Sequence, residues 1–200
     1  MNKKLWRVGK EELKYIEEAI NSGLSGIMNS KFEEAFAKKF GVNFAIGVNS
    51  GTSALHSALF AVGVRPGDEV IVPPITFAAP AFAVLQQGAI PVFADVDPDT
   101  FTIDPKEIEK KITRRTKAII PVALYGLPPD MDPIMELAKK NNLKVIEDNA
   151  ECFLGKYKGR LAGTIGHMAI YSFERSKHMT TGNGGVIITN NEILAERARK

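Results

Sequence analysis

Cysteine is almost absent from this chain of 200 residues: Cys152 is the only one. No intrachain disulfide can form, and a cytoplasmic location is expected. The three histidines, His56, His167 and His178, lack metal-ligand spacing, so no metal site is expected. No apolar run is long enough to span a bilayer, and the opening Met1-Asn-Lys-Lys-Leu-Trp-Arg7 is too polar for a signal peptide. No membrane partner is therefore expected. The formal net charge is only +3 and the basic residues are scattered. Their densest cluster, Lys110-Lys111 with Arg114-Arg115, reads as solvated loop surface. Without a basic stripe or interleaved aromatics, no nucleic-acid partner is expected. A Walker sequence is missing, as is a Gly-x-Gly-x-x-Gly after a strand, which disfavours nucleoside triphosphates and dinucleotides as ligands.

What is present is an ordinary globular composition, 44% hydrophobic and 24% charged, of a length that suits one domain or one domain and part of another. Apolar spacing predicts helices over 11–21, 31–40, 52–62, 78–87, 131–141 and 192–200, with another starting at Asp104 and Pro105. Ser30 reads as the N-cap of the second helix and Gly41 as its stop. Strands are predicted over 44–48, 69–72, 90–94, 117–122, 143–147, 167–173 and 185–189. Strands alternating with helices predict an α/β domain with a mostly parallel sheet. The final helical segment stops without a glycine or proline. It is either a frayed terminal helix or a helix cut inside a longer protein, and the second is expected.

Three segments carry chemistry. In Val48-Asn-Ser-Gly-Thr-Ser-Ala-Leu55, a strand ends, a small polar turn follows and a helix begins. The N–H groups of a helix start bind phosphate, Gly51 permits close backbone approach, and Thr52 and Ser53 add hydroxyls. The same residues also suit a purely structural cap. In Leu143-Lys-Val-Ile-Glu-Asp-Asn-Ala-Glu-Cys152, Asp148 sits at the carboxyl end of a strand, where open α/β sheets place ligands. A buried carboxylate there can hold a pyridine nitrogen in its protonated form; a turn cap is the competing reading. In Tyr171-Ser-Phe-Glu-Arg-Ser-Lys-His-Met-Thr-Thr-Gly-Asn-Gly-Gly185, Ser172 can donate to phosphate and Lys177 lies five residues on, before a glycine-rich turn. That setting suits a lysine that binds an aldehyde cofactor covalently. Phe77, in Val72-Pro-Pro-Ile-Thr-Phe-Ala-Ala-Pro80, either stacks on a planar ring or belongs to the core.

Together these segments resemble the DegT/DnrJ/EryC1/StrS aminotransferases, pyridoxal-phosphate enzymes that aminate nucleotide-linked keto-sugars. The resemblance runs in order through Ser22-Gly-Leu-Ser-Gly26, Ser50-Gly-Thr-Ser-Ala-Leu55, Pro66-Gly-Asp-Glu-Val70, Thr76-Phe-Ala-Ala79 and Asp95-Val-Asp-Pro98. It continues through Pro121-Val-Ala-Leu-Tyr-Gly126, Asp130-Met-Asp132, Glu147-Asp148, Ser172-Phe173, Lys177 and Gly182-Asn-Gly-Gly185. It implies the large domain of a type I, aspartate-aminotransferase-like fold: a mixed, mostly parallel sheet flanked by helices, with a smaller C-terminal domain beyond residue 200. It further implies pyridoxal 5'-phosphate (PLP) bound covalently at Lys177, which also moves the proton, and Asp148 on the pyridine nitrogen. Gly51, Thr52, Ser53 and Ser172 would then surround the phosphate, with Phe77 stacked on the ring.

The resemblance also implies a nucleotide-sugar substrate, glutamate or glutamine as amino donor, and a homodimer. Glu151 stands where the family usually has a glutamine that donates to the cofactor's phenolic oxygen. An ionised carboxylate cannot donate that bond, so Glu151 is expected to be protonated, displaced or bridged by water. Pro80 replaces a usual threonine. A dehydratase branch of the family has histidine at the lysine position, so the presence of Lys177 favours amine transfer. A sugar dehydratase and a non-catalytic scaffold are the rival expectations.

Overall fold

Short β-branched runs separated by helices assemble, in the computed structural model, into a seven-stranded sheet with helices on both faces. The structure describes residues 9–23 and 26–200. Helices α1 (Lys10–Asn21) and α2 (Ile27–Phe40) lead into β1 (Phe44–Val48), α3 (Gly51–Ala61), β2 (Glu69–Val72), α4 (Ala79–Gln86) and β3 (Ile90–Phe93). Then come α5 (Pro105–Lys111), β4 (Thr116–Ile119), a 3-10 turn (Leu124–Gly126), α6 (Met131–Lys140) and β5 (Lys144–Asp148). A hairpin of β6 (Lys156–Tyr157) and β7 (Arg160–Leu161) precedes β8 (Met168–Ser172), β9 (Gly185–Thr189) and α7 (Glu192–Ala198). The strand order is β1-β9-β8-β5-β4-β2-β3. Only β9 runs against the others, pairing antiparallel with both β1 and β8.

The two-residue period of each strand sends alternate side chains to opposite layers. Val70, Val72, Ile120, Ile146, Met168, Ile170 and Ile187 pack with α3, α4 and α7 on one face. Ile71, Ile119 and Val145 pack under Ile108 of α5 and Met131, Ile134 and Ala138 of α6 on the other. Beside them Ala169, Tyr171, Val186 and Ile188 meet α2, where Phe36 and Phe40 stack at 4.6 Å between ring centres. Glu147 is buried on this face, and burial pushes its carboxyl group up from the ordinary range. It is nevertheless well partnered: the N–H groups of Gly163 and Ile165 donate to it at 2.7 and 2.8 Å, and that of Gly166 at 2.5 Å. Cys152 is buried, with its thiol donating to Gly126 O at 3.3 Å. Among the described residues no helix is long and apolar enough to cross a membrane.

Three expectations change. The second helix starts at Ile27, after Gly26 in the left-handed conformation (φ 82°), so Ser30 lies in its first turn with its N–H on Gly26 O and is not the cap. Gly41 does end that helix, at φ 66°. The basic cluster is not one loop: Lys110 and Lys111 close α5, and Arg115 pairs with the buried Glu69. The fourth strand ends early because Pro121 has no N–H for the ladder; pairing resumes only as the Val122–Asp148 bridge. The β6–β7 hairpin was not foreseen, and the Ser22-to-Gly26 loop includes residues 24 and 25, outside the described residues.

Gly185, the first residue of β9, lies between the ends of β1 and β8, opposite Val48 and Ser172. A Cβ there would stand 2.5 Å from Ser50 O and 2.9 Å from Gly51 N. Neither is a flexible side chain, so Gly185→Ala should push the start of α3 outward and destabilise the fold by about 1–3 kcal/mol. Urea unfolding of the variant against wild type measures this.

Candidate functional site

The carboxyl ends of β1, β5 and β8 face the same edge of the sheet, and each delivers a polar group there. β1 runs into Ser50, whose Oγ caps α3 by accepting from Ser53 N–H at 3.1 Å. The first N–H groups of α3 have no acceptor within the helix, and the helix dipole adds positive potential at that point. Ser172, ending β8, is packed against them: a Cβ on Gly51 would lie 2.9 Å from Ser172 Cβ. Ser172 thus occupies the space that a side chain on Gly51 would take, which brings its hydroxyl beside the helix start.

Asp148 ends β5 and is 4% exposed. Its N–H donates to Pro121 O at 2.9 Å and its Oδ1 accepts from Ala150 N–H at 3.0 Å. Burial pushes its pKa up to about 6, against the opposing pull of the Ala150 N–H and the Lys177 ammonium. Lys177 arrives from the loop between β8 and β9. Because β9 returns antiparallel, that loop stays on the site's edge of the sheet. Its neck is closed by Phe173 N–H to Gly184 O at 2.9 Å, and Lys177 N–H donates to Glu174 O at 2.9 Å. The Lys177 ammonium lies 3.1 Å from Glu151 Oε1. Glu151 Oε2 accepts from Tyr125 N–H at 3.0 Å. Burial alone would raise the Glu151 carboxyl, but the Tyr125 N–H and Lys177 outweigh it and hold the pKa below the usual range.

These groups line one cleft of about 570 Å³, whose walls include Gly51, Thr52, Phe77, Asp148, Glu151, Ser172 and Lys177. Phe77 is 76% exposed at its lip, so the core alternative for this ring is out. Ser53 is not in the wall; its N–H and hydroxyl are both engaged with Ser50. Ser176 and Asn183 also face the cleft and were not singled out from the sequence, although both lie in the Lys177 loop. The Tyr125 backbone contact had no sequence signal, since it depends on a left-handed tyrosine (φ 51°). A second groove, of about 420 Å³, lies at the opposite edge of the sheet beside His167 and Asn190 and gathers none of these groups. The main cleft therefore offers an anion site, a buried carboxylate, a primary amine and an exposed aromatic ring, in a volume that suits a small aromatic phosphate.

The profile of the DegT/DnrJ/EryC1/StrS aminotransferase family matches residues 7–200. The chain belongs to this family. GDP-perosamine synthase from Caulobacter vibrioides is 52% identical over 169 residues, covering 84% of this chain and 46% of that one. The aminotransferase of Psychrobacter cryohalolentis superimposes with a TM-score of 0.92 at 42% identity, covering 96% of this chain and 50% of that one. NtdA from Bacillus subtilis, solved with bound cofactor PMP, superimposes with a TM-score of 0.84 at 36% identity, covering 96% and 45%. This member of the DegT/DnrJ/EryC1/StrS family thus spans about half the length of the relatives it matches.

The raised Asp148 pKa sets a pH signature. Its folded value, about 6, lies above its ordinary 3.8, so its contribution to stability is complete below about pH 4 and is lost as pH rises through about 6. Relative to Asp148→Asn, the cofactor-free protein should lose roughly 3 kcal/mol across that window. Parallel urea titrations of the two proteins from about pH 4 to pH 7 test this, and parallel curves would show that Asp148 is not desolvated.

Proposed function

We propose that this chain is the cofactor-binding large domain of a longer, PLP-dependent aminotransferase that transfers an amino group from glutamate or glutamine to a nucleotide-linked keto-sugar. The observation that carries the reading is the meeting of Lys177, Asp148 and the start of α3 in one cleft, in a member of an aminotransferase family. The donor set fits the cofactor. The α3 N–H groups with Thr52 and Ser172 suit a phosphate dianion, and the missing Cβ of Gly51 lets the Ser172 side chain pack directly against the helix start.

When bound, the cofactor supplies an electron-withdrawing ring that stabilises negative charge on the reacting carbon. The chain's own residues do the rest. Asp148, ionised above about pH 6, would hold the ring nitrogen in its protonated form. Lys177 Nζ would hold the cofactor covalently and would accept and return the proton at the reacting carbon. Phe77, at the lip of the cleft, would stack on the ring and shield it from water. Ser53 acts through the cap, holding α3 in the orientation that presents its N–H groups.

Several supporting features reach beyond the cleft. The relative named GDP-perosamine synthase makes GDP-linked sugars the first substrates to try. Phe82 and Leu85 on α4 and Phe93 on β3 are more than half, or half, exposed, which supports a homodimer that covers them. The lone thiol supports a cytoplasmic setting.

Full-length protein mixed with PLP should develop a visible absorption band, and borohydride should then fix the cofactor on Lys177, as read by peptide mass spectrometry. Lys177→Ala should show neither. Cofactor affinity should weaken as pH falls through about 6, where Asp148 takes up its proton, and Asp148→Asn should bind weakly at every pH. Keto-sugar release without amine uptake would favour a dehydratase.

A further inference from the structure

β5 and β8 lie side by side, and each ends in a residue of the cleft, Asp148 and Ser172. The residues just before these, Glu147 and Tyr171, point to the opposite face of the sheet, where both are deeply buried. Neither lines the cleft. Both reach the same turn, residues 162–166, which joins the β6–β7 hairpin to β8. The Glu147 carboxylate accepts from the N–H groups of Gly163, Ile165 and Gly166, and the Tyr171 hydroxyl donates to Ala162 O at 2.6 Å.

A carboxyl group is a costly way to fill a core position. Here the turn depends on it, because removing Glu147 would strand three inward-facing N–H groups. The packing is close as well: a Cβ at Gly163 would collide with the Tyr171 hydroxyl. The turn is thus tied to β5 through Glu147 and to β8 through Tyr171. Directly after it, His167 N–H donates to Val145 O at 2.9 Å and opens the β5–β8 ladder. The clamp therefore sets where β8 starts along β5, and with it the offset between Asp148 and Ser172 at the far ends. A slip of two residues would move one against the other by roughly 7 Å, and a slip of one would turn Ser172 to the wrong face. Much smaller errors also matter, since a displacement of about 1 Å is enough to spoil a site that holds a rigid group.

We propose that Glu147 and Tyr171 are positioning residues for the cofactor: by clamping the 162–166 turn, they fix the distance between Asp148 at the ring-nitrogen end of the site and Ser172 with the start of α3 at the phosphate end. This rests on the pyridoxal-phosphate reading above and adds a determinant on the far face of the sheet. The cofactor's ring and phosphate are joined by a short arm, so the two ends of the site act as linked contacts whose combined strength depends on their spacing. Each contact can stay intact while the gain from linking them is lost. Positioning is thereby distinct from support of the fold, because a loosened fold weakens every ligand alike.

The test uses full-length protein stripped of cofactor and titrated calorimetrically with pyridoxamine 5'-phosphate, which needs both ends of the site and no bond to Lys177. Inorganic phosphate and pyridoxamine, each a probe of one end, are measured by competition. Tyr171→Phe removes one hydroxyl and keeps the ring packed against Phe36 and Phe40. It should weaken pyridoxamine phosphate about tenfold and leave each one-ended probe within about twofold. Glu147→Gln, whose amide turns a donor toward the turn's own N–H groups, should act in the same direction and more strongly. Ile134→Val, a truncation in the core beneath α6, is the stability control: it should lower the melting temperature and leave all three affinities unchanged. Unchanged pyridoxamine phosphate affinity in Tyr171→Phe would overturn the clamp, as would an equal loss for the one-ended probes or an equal loss in Ile134→Val. If wild type binds pyridoxamine phosphate no more tightly than inorganic phosphate, the cofactor reading falls as well.

Discussion

The cleft depends on one backbone approach. β9 enters the sheet between β1 and β8, and its first residue has to pass within van der Waals distance of the turn that starts α3. With no side chain at Gly185 or Gly51, the helix start, the Ser172 hydroxyl and the root of the Lys177 loop converge at one edge. A bulkier residue at either position would separate the anion-binding end of the cleft from the amine. The antiparallel sense of β9 follows from the same geometry, because a loop of twelve residues can leave β8 and return at the same edge without a crossover helix. The sheet's single antiparallel strand and its reactive lysine are therefore one feature of the fold.

Around that frame the electrostatics are arranged by depth. Asp148 is deeply buried and its charge is costly; Glu151 is shallower and its charge is held by a backbone N–H and an ammonium. Two carboxylates three residues apart thus move in opposite directions from their ordinary values, because one is ruled by desolvation and the other by partners. Lys177 stands between them, with its loop tied at Phe173 and Gly184, so its reach is set by a closed neck rather than a free arm.

Much of this was legible in the sequence for local reasons. Asp148 follows a β-branched strand, Lys177 precedes a glycine cluster, and Ser50-Gly51-Thr52 joins a strand to a helix; each is a pattern a few residues long. The sheet class followed from alternation of apolar runs. What escaped were features decided by tertiary contact or backbone angle. The cap of α2 was misplaced because Gly26 starts the helix a turn earlier than the serine suggested. The β6–β7 hairpin turns at Lys158-Gly159, both at positive φ, without the asparagine or aspartate that announces such turns. Ser53 has the hydroxyl of a ligand-binding residue, but its direction, into the cap, depends on Ser50. Glu151 could be read as a departure from a pattern, yet its ionised state depends on a tyrosine N–H twenty-six residues away.

Cys152 has a practical consequence. Its sulfur is buried against the Gly126 carbonyl, and burial pushes the thiol's pKa up, so little of it is the reactive thiolate near neutral pH. A cysteine placed at an exposed position of this chain, such as Arg175 in the Lys177 loop, would then be the preferred target for a maleimide fluorophore. The native thiol need not be removed first, and the label would report on the loop without disturbing the packing beneath Gly126.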